Sequence, residues 1–423
     1  MSVARGWQFF MHPGPTNIPH RVLQAMQRPA VDFTGPEFVA LRDRSLERLK
    51  GVLKTRQGFV IAYAASGHGA WDASIANLFS PGDKVLVCQA GYFSENWSTT
   101  ARQYGVEVEV VAAAERRAVD PKAVEERLAA DQFHSIKAVL IVQNETATGM
   151  RHPVAEVRAA MNRVRHPALY LVDTISSLAS YDFRMDEWGV DLVVGGSQKG
   201  LMMPPGMSFT AINARAWEAS QKARNPRRYW DWRPLVEDGK QLRFCGTAPI
   251  PYFYGLEAAL DMIEEEGLEN VFARHRRLAQ ATRACVRAWG QGGGPEIYSL
   301  DPEAASESLT AVLTPAGHDA DQVRDSRRKI WRRARPRAGC AAGTRVPHRP
   351  HGRSQRADAA GRAGRDRAGA GGSRHAARAR RGGGGDGCAA RARYDPQGRH
   401  RRLGFRSGFK GASKRGWSAF RHA

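Results

Sequence analysis

The sequence predicts an α/β protein with a mostly parallel central sheet. Three features carry that expectation: short aliphatic runs recur between about residues 50 and 200, longer amphipathic stretches separate them, and two of those stretches open on proline. In order, the aliphatic runs are 84–89, 106–111, 137–143, 168–174 and 191–197. Each is short and rich in Val, Ile and Leu, as buried strands are. Segments 94–104, 121–130 and 153–166 lie between them and read as helices. Proline at 121 and 153 suits a helix start, where its missing N–H removes no bond. In such sheets ligands bind beyond the carboxyl ends of the strands, so the residues that follow each run are expected to carry the chemistry. A chain of 423 residues is long for one core, so two domains sharing a boundary are expected.

A formal net charge of +22 would suit a nucleic-acid partner if it were spread over the chain. Residues 321–423, however, hold 29 Lys and Arg against 6 Asp and Glu, which leaves 35 basic and 36 acidic residues in 1–320. The body is neutral and gives no sign of binding nucleic acid. Cys88, Cys245, Cys285, Cys340 and Cys388 lie far apart, with neither the spacing that holds zinc nor the density of a disulfide framework. A reducing cytoplasm and no metal are expected. Residues 1–10 lack the apolar core of a signal peptide, and no run of about 18 apolar residues follows, so the chain reads as soluble with no membrane partner.

Run 191–197 leads into Gly195-Gly196-Ser197-Gln198-Lys199-Gly200, which places one lysine at a strand's carboxyl end among small residues. Alone, Lys199 would read as an exposed loop lysine. Run 168–174 delivers Asp173 at its own carboxyl end, and the pair suggests pyridoxal 5′-phosphate (PLP). A lysine holds that cofactor's aldehyde, and a carboxylate keeps its pyridine nitrogen protonated, so the ring can accept electrons from the substrate's breaking Cα–H bond. A strand-end cap is the plainer alternative for Asp173. Ala65-Ser66-Gly67-His68-Gly69-Ala70 precedes a helical stretch, and a glycine-rich turn at a helix N-terminus offers backbone N–H groups and dipole charge to a phosphate. The order phosphate turn, acid, lysine is more specific than any of the three alone. Residues 144–149 follow a further strand end and bring hydroxyls toward the same cleft.

Around these residues, PGPTNIP (13–19), SGHGA (66–70), NETATG (144–149), LVDTISS (171–177), DFRMDEWGVD (182–191) and GSQKGL (196–201) resemble the serine–glyoxylate and alanine–glyoxylate aminotransferases, in class V of the fold-type-I PLP enzymes. The resemblance runs from about residue 13 to about residue 314. It implies an N-terminal segment (1–20), a large PLP-binding domain (21–255) and the start of a smaller α/β domain (256–325). The implied reaction moves an amino group from serine or alanine to glyoxylate, giving glycine and a 2-oxo acid.

By the same resemblance Lys199 carries the cofactor and moves a proton between substrate Cα and cofactor C4′, while Asp173 pairs with the pyridine nitrogen. Ser66, Gly67, His68 and Gln198 match the phosphate ligands, and Thr146 matches a hydroxyl near the ring's O3′. Phe93 matches the aromatic that stacks on the ring; a core residue at a helix start is its other reading. Thr247 matches a residue that the partner subunit gives to the phosphate site, which implies a homodimer with shared active sites. Phe244 stands where the family often has tyrosine, so one phosphate hydrogen bond worth on the order of 1 kcal/mol would be missing.

The resemblance stops short of the arginine that grips the substrate carboxylate in the family's small domain. Between residues 331 and 400 the only large apolar side chains are Trp331, Val346 and Tyr394. Burying each yields about 1.5–3 kcal/mol, against a cost of about 1.5 kcal/mol for every residue ordered. Residues 326–423 are therefore expected to be disordered. Codons for residues 346–355, VPHRPHGRSQ, can be chosen so that reading one base later yields FRIGHMGDL, which looks like the arginine motif of the small domain. Residues 356–364 permit EPMLLGALA in the same shifted frame. These strings predict a shift of reading frame near residues 321–330. Three readings stand beside the aminotransferase: another class V PLP reaction such as desulfuration or decarboxylation, a catalytically impaired product of the shifted frame, and an enzyme-like body with an Arg/Gly-rich nucleic-acid-binding tail.

Overall fold

From the amino terminus the chain forms α1 (His20–Met26), α2 (Pro36–Leu53), β1 (Phe59–Tyr63), α3 (Gly67–Leu78), β2 (Lys84–Gln89), α4 (Tyr92–Gln103) and β3 (Glu107–Ala112). There follow α5 (Pro121–Ala129), β4 (Ile136–Val142), β5 (Asn144–Glu145), β6 (Met150–Arg151), α6 (Val154–Arg163), β7 (Leu169–Asp173) and β8 (Leu192–Gly196). The remainder is β9 (Ser208–Ile212), α7 (Ala214–Lys222), β10 (Val236–Glu237), β11 (Lys240–Gln241), α8 (Ile250–Glu266), α9 (Leu268–Trp289), β12 (Glu296–Ile297), β13 (Leu309–Leu313) and β14 (Trp417–Arg421). The structure is a computed structural model that describes residues 12–323, 326 and 417–421.

Seven strands form the main sheet in the order β1-β9-β8-β7-β4-β2-β3. The pairs β2–β3, β2–β4, β4–β7 and β7–β8 are parallel, whereas β9 runs antiparallel to both β8 and β1. All strands but β9 therefore point the same way, and six carboxyl ends share one edge. β7 and β8 are buried along their whole length, which explains why they read as continuous aliphatic runs rather than alternating ones. Successive side chains still serve opposite faces: Val172 joins Phe38, Leu49 and Phe253 on one, and Leu171 joins Trp71, Ile75 and Trp97 on the other. Helices cover both faces.

The five expected strands and three expected helices are all present, with small shifts at their ends. Val106 precedes β3, which starts at Glu107. Pro153 caps α6 rather than beginning it, and that helix stops at Arg163 because Arg165 turns left-handed at φ +51°. α4 starts at Tyr92, before the expected residue 94.

α8 runs unbroken across the expected domain boundary at 255/256 and buries Phe253, Leu256 and Leu260 in the core of the main sheet. The chain turns away only at Gly267, where φ is +83°. β12 and β13 follow α9 and pair antiparallel. The expectation of disorder over 326–423 falls outside the described residues except at 326 and 417–421. Of these, Trp417–Arg421 pairs antiparallel with β13, Leu313 opposite Trp417.

Candidate cofactor site

Most residues singled out from the sequence meet at the carboxyl edge of the sheet. Asp173 is the last residue of β7, Gln198 and Lys199 follow β8, and Ser66–His68 follow β1. Phe93 follows β2, and Thr146 sits in the small β5–β6 hairpin after β4, whose turn closes at Gly149 with φ +64°. Thr247 is the exception: it is exposed, between β11 and α8, beside a shallow hollow with Tyr63, Ala64, Tyr229 and Cys245.

The loop that carries the lysine is bound to itself. Ser197 donates its backbone N–H to Met207 O (3.0 Å) and its hydroxyl to Pro204 O (2.7 Å), and its own carbonyl accepts Met203 N–H (3.1 Å). Lys199 Nζ donates to Pro13 O at 2.8 Å. Thr16 N–H donates to Gln198 O at 3.1 Å, so the PGPT segment lies along the lysine loop. Gly14 permits that approach, because a Cβ there would overlap the Lys199 amine.

Asp173 is buried and accepts two N–H groups, from Trp71 Nε1 to Oδ2 at 2.7 Å and from Ile175 N to Oδ1 at 2.7 Å. Burial still dominates and pushes the carboxyl up to about 7. A buried acid in that state gains from a cationic neighbour such as a protonated ring nitrogen.

α3 begins at Gly67 without a side-chain cap from Ser66, which leaves its first N–H groups and its dipole to an outside anion. Gln198 Oε1 is buried with no hydrogen-bond partner. The amide's two ends are interchangeable by rotation, so it can offer an N–H to the same anion. Phosphate, ring nitrogen and aldehyde thus each have a fitting group, and the residues present suit PLP.

Three further residues belong to this edge and were not read from the sequence. Ile175 lies within 2.5 Å of where a Cβ on Gly67 would stand, so its side chain fills the space between the phosphate turn and the end of β8. Glu145, buried in the hairpin, accepts N–H from Phe93 (3.2 Å), Ser94 (3.0 Å) and Ala147 (3.1 Å), and thereby caps α4. That cap starts the helix two residues early and holds Phe93 beside Trp71, 6.4 Å between ring centres. The third is Trp71 itself. A glutamate next to Thr146 in an otherwise uncharged motif was the available signal for Glu145. Thr146 Oγ1 donates to Ser176 Oγ at 3.0 Å, fixing its direction.

The family model for class-V aminotransferases matches residues 8–326. An L-aspartate–glyoxylate aminotransferase of Paracoccus denitrificans is 42% identical over 311 residues, 74% of this chain and 78% of its own. A serine–glyoxylate aminotransferase of Methylorubrum extorquens is 40% identical over 316 residues, 74% of this chain and 78% of its own. The crystal structure of an alanine–glyoxylate aminotransferase from Nostoc sp. superposes with a TM-score of 0.68 at 32% identity, covering 76% of this chain and 82% of that one.

Proposed function

Because this chain belongs to the class-V aminotransferase family, we propose that it moves the amino group of a small amino acid to glyoxylate, releasing glycine and a 2-oxo acid. The observation that carries the proposal is the convergence of Lys199, Asp173 and the open start of α3 on one sheet edge. Its cofactor is PLP, which when bound supplies an electrophilic carbonyl and an electron-withdrawing ring.

The chain's own groups divide the work. Lys199 is the amine that holds the cofactor and carries the proton to and from the substrate Cα; Pro13 O and the bonded loop keep it on station. Asp173 faces the ring nitrogen. Ser66, Gly67, His68 and Gln198 would hold the phosphate and Thr146 the ring oxygen, with Phe93 and Ile175 at the ring. Thr247 is exposed on its own chain, which supports a homodimer in which it completes the partner's phosphate site.

Similar proteins are named for aspartate, serine and alanine as donors, so the donor is a small amino acid of that set. We place the protein in the cytoplasm, a reading supported by the free thiols Cys88, Cys245 and Cys285. The proposed frame shift near 321–330 is supported by the end of the family match at residue 326. The test is glycine formation from glyoxylate with serine, alanine or aspartate, measured on the chain and on a gene variant with its frame restored. Glycine from neither protein, with sulfide released from cysteine instead, would turn the assignment to the desulfuration reading.

A further inference from the structure

Trp71 stands one helical turn beyond the phosphate turn, in α3, and is fully buried. Its indole is held on several sides. Trp97 stacks on it at 6.1 Å and 15°, the His68 ring rests against it at 4.4 Å, and Phe93 approaches edge-on. A buried tryptophan needs one acceptor for its N–H. Here the acceptor is Oδ2 of Asp173, 2.7 Å away and 102 residues along the chain.

We propose that Trp71 is a positioning residue for the cofactor chemistry: its N–H fixes one Asp173 oxygen and keeps that group a carboxylate, so that the proton it shares with the pyridine nitrogen stays on the nitrogen. The inference deepens the proposed function and rests on the assignment of Asp173 to that nitrogen.

When one proton lies between a carboxylate and a ring nitrogen, the more basic group holds it. Burial makes Asp173 more basic, and the facing Glu145 adds to this. Three groups oppose it: the Ile175 N–H, the Trp71 N–H and the Lys199 charge. Tyr181 is a further titratable group whose field is coupled to Asp173. Of the two hydrogen bonds, only that from Trp71 comes from a side chain, so it can be removed without altering the backbone. A hydrogen bond to the charged form favours that form, and one of this kind shifts the proton's position by about ten- to a hundredfold, or one to two pH units.

The test uses the full-length chain with and without cofactor. Trp71→Phe removes the N–H and keeps an aromatic ring in the pocket. Trp71→3-benzothienylalanine keeps the bicyclic shape without the N–H and serves if the first variant does not fold. In the cofactor-free chain the Asp173 carboxyl, followed by carbon-13 resonance, should titrate about one to two pH units higher in either variant. With nitrogen-15-labelled PLP bound, the ring-nitrogen resonance should move toward the unprotonated value. Variants that fold, bind cofactor and leave both resonances as in the parent overturn the inference and leave Trp71 a packing residue. Asp173→Asn separates the two claims. If it too leaves the ring-nitrogen resonance unmoved, the assignment of Asp173 has failed; if it moves the resonance and the Trp71 variants do not, only the role of Trp71 has failed.

Discussion

Asparagine in place of Asp173 keeps the shape of the side chain and removes its charge, and the consequences can be worked out from the site. The carboxyl titrates near 3.8 in the unfolded chain and is pushed up to about 7 in the folded, cofactor-free one. Between those values the folded chain holds the extra proton, so its stability falls as pH rises through the window, by about 4 kcal/mol in all at 1.36 kcal/mol per pH unit. Asparagine abolishes that slope. It also has one oxygen for two donors, Trp71 Nε1 and Ile175 N, so one loses its acceptor at a cost of about 1–3 kcal/mol at every pH. Asp173→Asn should therefore be the less stable protein at pH 4 and should gain about 4 kcal/mol on the parent by pH 8. Urea unfolding of both cofactor-free chains at intervals across that range measures the difference. Parallel stability curves would refute the reasoning, since they would mean that Asp173 loses its proton at the same pH in the folded and the unfolded chain. With PLP bound, the variant should keep the cofactor and lose amino transfer from serine; near-normal half-reaction rates would remove the electron-withdrawing role from Asp173.

Lys199→Ala should abolish the visible, borohydride-reducible bond between chain and PLP, and a reducible bond persisting at another lysine would reassign the cofactor residue. Glu145→Ala strips the acceptor from three backbone N–H groups; it should cost about 2–4 kcal/mol in unfolding and weaken PLP binding as Phe93 loses its anchor, and an unchanged PLP dissociation constant would detach Glu145 from the site. Restoring the frame near 321–330 should raise solubility and serine–glyoxylate transamination, because a bidentate arginine–carboxylate contact contributes about 1.5–3 kcal/mol, or about ten- to a hundredfold in affinity. Equal rates from both genes would make the tail a tolerated extension.

β2, β4, β7 and β8 were legible because burial on both faces leaves an aliphatic signature that needs no partner to recognise, whereas β3, at the sheet edge, alternates Glu with Val and is nowhere fully buried. β1, FVIAY, lies inside the alternating stretch and was not singled out; β9, SFTAI, lies beyond it, and nothing in its sequence marks that it runs the other way. The site divides along similar lines. Lys199 and Asp173 are polar residues at strand ends, where topology alone predicts chemistry, while Gln198 was reached only through the family resemblance. Trp71, Ile175 and Glu145 act across contacts between segments far apart in sequence, 71 to 173, 67 to 175 and 93 to 145. Within its own element Trp71 looks like any core aromatic and Ile175 like any aliphatic residue after a strand. Only the fold makes them neighbours of the acid and the phosphate turn.

The self-bonded lysine loop has a kinetic consequence. With Ser197 tied to Met203, Pro204 and Met207, and Gln198 to Thr16, the backbone beneath Lys199 acts as a fixed pivot. On the proposed assignment of Lys199 to the cofactor, releasing the amine from one bond and returning it would take only side-chain torsions, on picosecond to nanosecond scales. Loop rearrangements, which run in microseconds to milliseconds and set the pace of many enzymes, would then not be needed for the lysine's part of the cycle.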